Sequence, residues 1–349
     1  MSVRVGIIGI GAYAQRAHLP QLSRHPDALV HAACRRNPAR LAEAAEAFGI
    51  ERRYTRIDDL LADPDLDAVT ISLPHDQHFS VARDALRRDL HVLVDKPMAL
   101  RRAEATELRE LATARGRVLM VGFNRHYEPP FNRAKQALAS GAFGQVRFID
   151  GYMAYDWDLW LERGEQRFAG PHAQMLEGVP AAQAALLRES DFRADPNANG
   201  GGYFADGGAH IVDACLWLSD QPATRVFAIM DSPTADLYSA LTIRLASGAL
   251  CSVACVGEAP LQRDFRLSLY CENGALHLRW GELTLHRTGQ APEVLTNDDM
   301  TFDGSHVENF IDVILGRADA RATAVDGERQ VAVMEAAYRS ARDGVPVDC

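Results

Sequence analysis

Asp206 and His210 have the residue types and the spacing of an acid–base pair. They are four residues apart in a glycine-rich run, Gly200 to Asp213, so on a helix they share one face. A carboxylate beside an imidazole orients its tautomer and stabilises the imidazolium, which a general acid or base near neutral pH requires. A structural alternative stays open, in which Asp206 caps the helix and His210 is a hydrogen-bonded histidine on its face.

Lys96 could stabilise charge on a reacting oxygen. It follows the apolar run His91 to Val94 in the sequence Asp95-Lys96-Pro97, so we expect it at the carboxyl end of a strand, the edge where open α/β sheets bind ligands. An ammonium group there could donate to a substrate hydroxyl or carbonyl oxygen and stabilise a developing alkoxide. A surface lysine is the alternative, although the chain is poor in lysine.

A glycine turn near the N-terminus predicts a dinucleotide site. Gly9, Gly11 and Ala14 form G-x-G-x-x-A directly after the apolar run Val3 to Ile8, and a predicted helix follows. The helix N-terminus would then hold a pyrophosphate through its amides and its dipole. The expected cofactor contacts in this turn are Gly9, Ile10, Gly11, Ala12, Tyr13 and Ala14.

The end of the second predicted strand bears on cofactor choice. An NAD site usually has an acidic residue here for the ribose, whereas this chain has Arg35 and Arg36. Two guanidinium groups would attract a 2′-phosphate, so the sequence favours NADP, with NAD as the alternative. A solvated basic loop is the structural interpretation of the same pair.

Strand and helix signals alternate through the first third of the chain. This pattern predicts an N-terminal Rossmann domain with a doubly wound parallel sheet over residues 1–122. The remaining residues, 123–349, are predicted to form an α+β domain for substrate binding and oligomerisation. Successive strand-like runs from Ala223, with a hairpin signal at Asn273-Gly274, indicate a large, mostly antiparallel open sheet. One apolar face of such a sheet would be left uncovered, so we expect a homodimer or homotetramer.

Composition narrows the classes of function. The net charge of -10 gives no support for nucleic-acid binding, and no apolar run is long enough to span a membrane. The chain enters its first strand at once, without a signal peptide, and Cys251 and Cys255 lie in a strand-like run as buried thiols, so a cytoplasmic location is expected. The histidines outside these motifs, His31 among them, show no metal-ligand grouping, and no metal is expected.

Taken together, these motifs resemble the Gfo/Idh/MocA oxidoreductase family over nearly the whole chain, including Pro74 to His78 and Gly122 to Pro129. The resemblance implies that Lys96, Asp206 and His210 are catalytic and touch the substrate, and that Arg125 also binds substrate. It adds expected cofactor contacts, which are Leu73, Pro74, His78, Asp95, Lys96 and Asn124. Two positions depart from the family pattern: Asp95 replaces a glutamate, and His126 replaces a second arginine. The latter either tunes substrate choice or is a surface histidine.

Substrate selection is expected in the irregular stretch Tyr152 to Asn199. Tyr155, Trp157 and Trp160 could stack on a sugar ring, while Asp156, Asp158 and Arg167 could bond hydroxyls. Aromatic residues that pack and pin the segment are the alternative.

The expected activity is an NAD(P)-dependent oxidoreductase that interconverts a secondary alcohol and a ketone on a sugar, polyol or cyclitol. Two alternatives are a tightly bound dinucleotide used for redox-assisted glycosidic cleavage and a non-catalytic dinucleotide sensor.

Overall fold

The computed structural model describes residues 2–157, 192–259 and 264–349. These residues form two compact units. The first comprises residues 2–122 and 304–328, and the second comprises residues 123–157, 192–259, 264–303 and 329–349.

The first unit is built on a six-stranded parallel sheet with the strand order β3-β2-β1-β4-β5-β6. This order reverses between β1 and β4, the topological switch point at which doubly wound folds bind dinucleotides. It confirms the predicted doubly wound parallel sheet. The strands are β1 (Val3–Ile8), β2 (Ala28–Cys34), β3 (Arg52–Tyr54), β4 (Ala68–Ile71), β5 (His91–Val94) and β6 (Leu119–Val121).

The first helix continues past Pro20. It contains a π-helical turn, Ala14–His18, and continues as Leu19–Arg24 with Pro20 in its first turn. A wider turn before a proline relieves the clash of its ring with the preceding carbonyl, and π-turns are frequent at functional sites. The other helices of this unit are Pro38–Ala47, Ile57–Leu61, His75–Arg87, Arg102–Arg115 and His306–Ile314.

Residues 304–328 pack with the first unit, although the sequence predicted them in the second domain. Val307, Phe310 and Ile311, on one side of the helix His306–Ile314, are buried in the core of the first unit. Farther along, the Val121 amide donates to the carbonyl of Ala322. Burial of an apolar helix face against the sheet therefore decides where this segment belongs.

The second unit contains a nine-stranded sheet with the order β14-β13-β12-β11-β7-β10-β9-β8-β15. Neighbouring strands are antiparallel except for the parallel pair β7 and β10, so the predicted mostly antiparallel sheet is confirmed. Its strands are β7 (Val146–Ala154), β8 (Ala223–Met230), β9 (Tyr238–Leu245), β10 (Leu250–Val256), β11 (Asp264–Cys271), β12 (Gly274–Arg279), β13 (Glu282–Arg287), β14 (Glu293–Thr296) and β15 (Val347–Asp348).

Helices of the second unit cover one face of this sheet. Their apolar residues share a core with the inward-facing residues of the strands. The described helical segments are the 3₁₀ turns Asn124–Tyr127, Phe192–Ala194 and Asn297–Asp299, the π-turn Phe204–Gly208, the helices Pro129–Ala139, Pro196–Asn199 and Ala209–Ser219, and the last helix, Ala324–Asp343, from residue 329 onward. In the described parts of both units, every helix is too short or too polar to traverse a lipid bilayer.

Candidate active site

The glycine turn after β1 has the geometry of a phosphate cradle. Gly9 has φ +87°, and a Cβ there would overlap the carbonyl of Ser72, so glycine is required for the turn itself. A Cβ on Gly11 would meet the Gly9 oxygen at 4.0 Å, which is an ordinary contact. The turn itself therefore does not require glycine at position 11. Ala14 is fully buried in the core. This division of roles fits a dinucleotide that approaches the backbone at Gly11.

Two side chains hold the carbonyl of Ile10 inside this turn. Arg35 donates from Nη1 at 3.1 Å, and Gln15 donates from Nε2 at 3.3 Å. A carbonyl oxygen directed at a pyrophosphate would repel it, so these bonds favour an anion site. Arg35 is therefore part of the turn, whereas Arg36 is exposed at the end of β2.

The other expected cofactor residues of the first unit follow β4 and β5 at the same sheet edge. Leu73 and Pro74 come after β4, and Pro74 precedes the helix His75–Arg87. Asp95 and Lys96 come directly after β5, and Lys96 is half-buried. Because β1, β4 and β5 are parallel neighbours, their carboxyl ends place these residues along one edge with the glycine turn.

His78 does not face an open site. Its ring is fully buried, with Nδ1 2.7 Å from the carbonyl oxygen of Pro97 and Nε2 2.9 Å from that of Leu73. Both ring nitrogens are therefore engaged by the backbone of the two turns that follow β4 and β5. This geometry indicates that His78 supports the backbone beside the expected cofactor residues Leu73 and Lys96 and does not itself contact a cofactor.

Asp95 is a charged partner of buried imidazoles. Oδ1 lies 3.1 Å from Nε2 of His18, a fully buried residue at the end of the first π-turn. Burial alone raises the pKa of Asp95, but His18, a hydrogen bond from Ser72 and the charge of His78 outweigh it and lower the pKa to about 2. The carboxylate is thus ionised, and the shorter side chain reaches His18.

Asp206 and His210 lie on a continuous helical segment of the second unit. Asp206 is in the π-turn Phe204–Gly208, and His210 is in the first turn of the helix Ala209–Ser219. Every residue from Gly201 to Leu216 is buried except His210, which is half-buried. The imidazole is thus the one side chain that this segment offers to a ligand.

The Asp206 carboxylate is 7% exposed and is not a helix cap. The residues that precede the π-turn and the helix are Tyr203 and Gly208, and neither makes a side-chain capping bond. Instead, Arg193 donates from Nε to Oδ2 of Asp206 at 3.0 Å. The sequence did not single out Arg193, because it lies thirteen residues away in a separate 3₁₀ turn.

The glycines around Asp206 are required by the protein's own packing. A Cβ on Gly207 would overlap the buried ring of Tyr203, and a Cβ on Gly208 would overlap that of Phe204. A Cβ on Gly201 would overlap the phenol of Tyr338. Close approach of these rings within the protein thus explains the glycines at positions 201, 207 and 208.

Asp236 anchors the start of this segment, and sequence reasoning missed it. Its fully buried carboxylate accepts hydrogen bonds from the amides of Gly202 (3.2 Å) and Phe204 (2.9 Å) and from the hydroxyl of Tyr338 (2.6 Å). Burial raises the pKa of Asp236 despite these donors. No local pattern marks Asp236, because its partners lie more than thirty residues away along the chain.

His126 is neither exposed nor directed at solvent, so its interpretation as a surface histidine is wrong. It is fully buried, its Nε2 lies 3.0 Å from Oδ2 of Asp213, and its ring stacks on Trp217 at 4.1 Å between centroids. Asp213 is three residues after His210 on the same helix. The pair therefore ties the 3₁₀ turn Asn124–Tyr127 to the helix that carries His210.

Arg125 is 3% exposed and is enclosed by aromatic rings. Its guanidinium lies 4.2 Å from the ring centroid of Trp280 and 4.8 Å from that of Phe265, and Nη1 donates to Glu128 at 2.6 Å. Asn124 is half-buried and also donates to Glu128, at 3.3 Å. Of these two expected ligand contacts, Asn124 is the more accessible.

Tyr155 and Trp157 are buried in the core of the second unit, at 9% and 4% exposure. The ring of Trp157 packs against Tyr203 with centroids 5.6 Å apart. This agrees with the packing alternative for both aromatics. Of the remaining residues expected to select substrate, Asp156 is half-buried, and Asp158, Trp160 and Arg167 lie outside the described residues.

One group of metal-ligand types occurs among the described residues: His31, Asp63 and Asp65. Arg52 donates to both carboxylates at 2.8 Å, and the hydroxyl of Tyr54 donates to Asp63 at 3.0 Å. A guanidinium already supplies the positive charge at this cluster, and we assign no metal to it.

A Rossmann sheet with this glycine turn, followed by a mostly antiparallel sheet with a half-buried histidine, is typical of two-domain dinucleotide-dependent oxidoreductases. The chain belongs to the Gfo/Idh/MocA oxidoreductase family. Residues 3–123 match the family model described as an oxidoreductase family with an NAD-binding Rossmann fold, and residues 131–277 match the GFO/IDH/MocA C-terminal domain. It is therefore an NAD-binding oxidoreductase of this family.

Similar proteins include further oxidoreductases. An uncharacterized oxidoreductase of Synechocystis is 27% identical over 279 residues, 79% of this chain and 71% of the relative. The dTDP-3,4-didehydro-2,6-dideoxy-alpha-D-glucose 3-reductase of Streptomyces antibioticus is 37% identical over 147 residues, 42% of this chain and 44% of that enzyme. A solved levoglucosan dehydrogenase, in complex with NADH and levoglucosan, shares the fold with a TM-score of 0.83 and 20% identity, covering 100% of this chain and 99% of that one.

Proposed function

We propose that the protein interconverts a secondary alcohol and a ketone on a sugar, polyol or cyclitol, using NADP in preference to NAD. The observation that carries the proposal is His210, the half-buried residue of an otherwise buried run, four residues after a carboxylate. Acid–base chemistry at neutral pH suits an imidazole in this setting. The Streptomyces relative is a reductase of a dTDP-linked deoxysugar, which supports the sugar class.

The roles follow from the chemistry of each side chain. Gly9 to Ala14 would hold the pyrophosphate of the dinucleotide, which would supply or accept the hydride when bound. His210 removes the hydroxyl proton during oxidation and returns it during reduction. Asp206, fixed by Arg193, favours the imidazolium that forms. Lys96 donates to the reacting oxygen and stabilises its negative charge.

A substrate panel tests the proposal. Sugars, polyols and cyclitols would be offered with the preferred dinucleotide, and oxidation and reduction would be followed by nicotinamide absorbance. We expect turnover on a member of this panel. A dinucleotide that stays bound and does not exchange after purification would instead favour redox-assisted glycosidic cleavage. Absence of turnover together with tight capture of a partner protein would favour a sensor.

Cofactor preference depends on Arg36 in this proposal. Arg36 is exposed at the end of β2, and Arg35 beside it is tied to the carbonyl of Ile10. We expect NADP to bind more tightly than NAD, and Arg36→Ala to weaken NADP binding about tenfold while NAD binding changes little. Calorimetric titration of both dinucleotides measures this.

Arg115→Ala is the matched control for Arg36→Ala. Arg115 is an exposed arginine of the same unit, at the end of the helix Arg102–Arg115, and it pairs with Asp89. We expect this variant to leave both affinities unchanged. Tighter binding of NAD than of NADP by the unmodified protein would overturn the preference.

A homodimer or homotetramer is proposed from the uncovered face of the second sheet. Along β9 the residues alternate between exposed and buried, and the exposed positions of neighbouring strands carry large apolar side chains. These are Phe148, Phe227, Ile229, Tyr238, Leu250 and Tyr270. An apolar face of this kind typically packs on another subunit. We expect the mass in solution to be that of two or four chains, with Ile229→Asp lowering it, and a monomeric mass for the unmodified protein would contradict the proposal.

A reducing, cytoplasmic location stays part of the proposal, based on the buried thiols of Cys215, Cys251 and Cys255.

A further inference from the structure

Both ring nitrogens of His78 lie against groups that can only accept a hydrogen bond. Nδ1 is 2.7 Å from the Pro97 carbonyl oxygen, and Nε2 is 2.9 Å from the Leu73 carbonyl oxygen. A carbonyl has no hydrogen to donate, so the ring must donate in both contacts. A neutral imidazole carries one N–H, whereas the imidazolium carries two.

We propose that His78 is an imidazolium cation in the folded protein and a positioning residue that ties the turn after β4 to the Lys96–Pro97 turn after β5. The positioning part rests on the proposed role of Lys96. The cation itself rests on the hydrogen-bond geometry alone.

The charges around His78 oppose one another. Burial lowers the pKa of His78, and the ammonium of Lys96 acts in the same direction, whereas the two carbonyls and the Asp95 carboxylate act against them. The other ring close by is His75, with centroids 5.5 Å apart. Burial is the largest of these influences, and their sum lowers the pKa of His78. The hydrogen-bond geometry argues for the cation in spite of this, because a neutral ring would set a nitrogen lone pair against a buried carbonyl oxygen at hydrogen-bond distance. Asp95, itself ionised, supplies the counter-charge.

This arrangement gives the two turns different supports. The glycine turn after β1 is held by Arg35 and Gln15, whereas the Lys96 turn is held by His78 through Pro97. Loss of the imidazolium should therefore displace Lys96 more than the pyrophosphate cradle. The expected signature is a fall in kcat with dinucleotide affinity largely kept.

His91 is a built-in reference for a direct test. Its Nδ1 accepts from the amide of Val118 at 2.9 Å, and Arg117 faces its Nε2 at 3.4 Å, so its surroundings are donors. Burial and Arg117 lower the pKa of His91. The same chain thus presents a fully buried histidine among acceptors and a half-buried one facing donors.

Nitrogen NMR of the histidine-labelled wild-type protein distinguishes the two states, with the His78 signals identified by their loss in His78→Gln. We expect His78 to carry hydrogens on both ring nitrogens at about pH 7 to 8, well above the usual histidine pKa, while His91 has a bare Nδ1. A bare nitrogen on His78 under these conditions would overturn the cation. This readout does not depend on turnover, so it stands apart from the test of the proposed function.

Kinetics test the positioning role. A glutamine at position 78 can donate to one carbonyl but cannot span both, so we expect His78→Gln to lower kcat about tenfold and to change the dinucleotide Kd by less than about threefold. His91→Gln serves as the control and should leave both unchanged. An unaltered kcat in His78→Gln, or an equal loss of dinucleotide binding, would refute positioning of Lys96 by His78.

Discussion

Replacement of His210 by alanine is expected to lower kcat by about 10²- to 10⁴-fold, the range for loss of a general acid–base group. The imidazole is the proposed site of proton transfer, and every other residue in the run Gly201 to Leu216 is buried. Because His210 is half-buried, its truncation should cost little stability, and the protein should still bind the dinucleotide. Steady-state kinetics with the best substrate, paired with dinucleotide titration, measures both.

His286→Ala is the control for His210→Ala. His286 is a half-buried histidine of the same unit, located on β13. We expect it to retain the wild-type rate. A rate near wild type in His210→Ala would remove His210 from the mechanism, and a simultaneous loss of dinucleotide binding would point to misfolding.

The second large effect is expected for Lys96→Met, with kcat lowered about 10²- to 10³-fold, as for loss of a donor to a developing oxyanion. Methionine keeps the length and the apolar stem of the side chain but removes its charge and its hydrogens. Binding of the dinucleotide depends mainly on the glycine turn in the proposal, so its Kd should change by less than about threefold. A rate close to wild type would show that the reacting oxygen is stabilised elsewhere.

Lys135 is the other lysine of the chain and a natural reference. Its ammonium donates to the carbonyl of Trp217 at 2.5 Å and lies over the Trp217 ring. Lys135→Met should leave kcat largely intact. An amine-reactive label adds a chemical readout: dinucleotide and substrate together should protect Lys96, and the labelling of Lys135 should not change.

Features that depend on neighbours in the chain were predictable from the sequence. The turn at Gly9 needs a positive φ and a small side chain against Ser72, and Gly11 and Ala14 follow at fixed offsets. The alternation of strand and helix signals along the first third of the chain predicted the parallel sheet, because its strands are short, continuous apolar runs. The successive strand-like runs from Ala223 and the hairpin signal at Asn273-Gly274 likewise predicted the mostly antiparallel sheet.

Short and irregular elements were not predictable by the same reasoning. β3, β14 and β15 have two to four residues each, too few for a periodic signal. The two π-turns, Ala14–His18 and Phe204–Gly208, differ from α-helix by one residue per turn, and they form where packing of Tyr203 and Phe204 or the nearby Pro20 requires it.

The amino-acid sequence by itself determined the cofactor turn, the strand-end position of Lys96 and the helical spacing of Asp206 and His210, because each is a local pattern of backbone and side-chain type. Only the tertiary structure decided which groups hold them. Arg193 on Asp206, Asp236 under the glycine run, Asp213 on His126 and His18 on Asp95 join segments that are distant along the chain. A buried polar group takes whichever partner the packing brings within hydrogen-bond distance, and that choice leaves no mark in the local sequence.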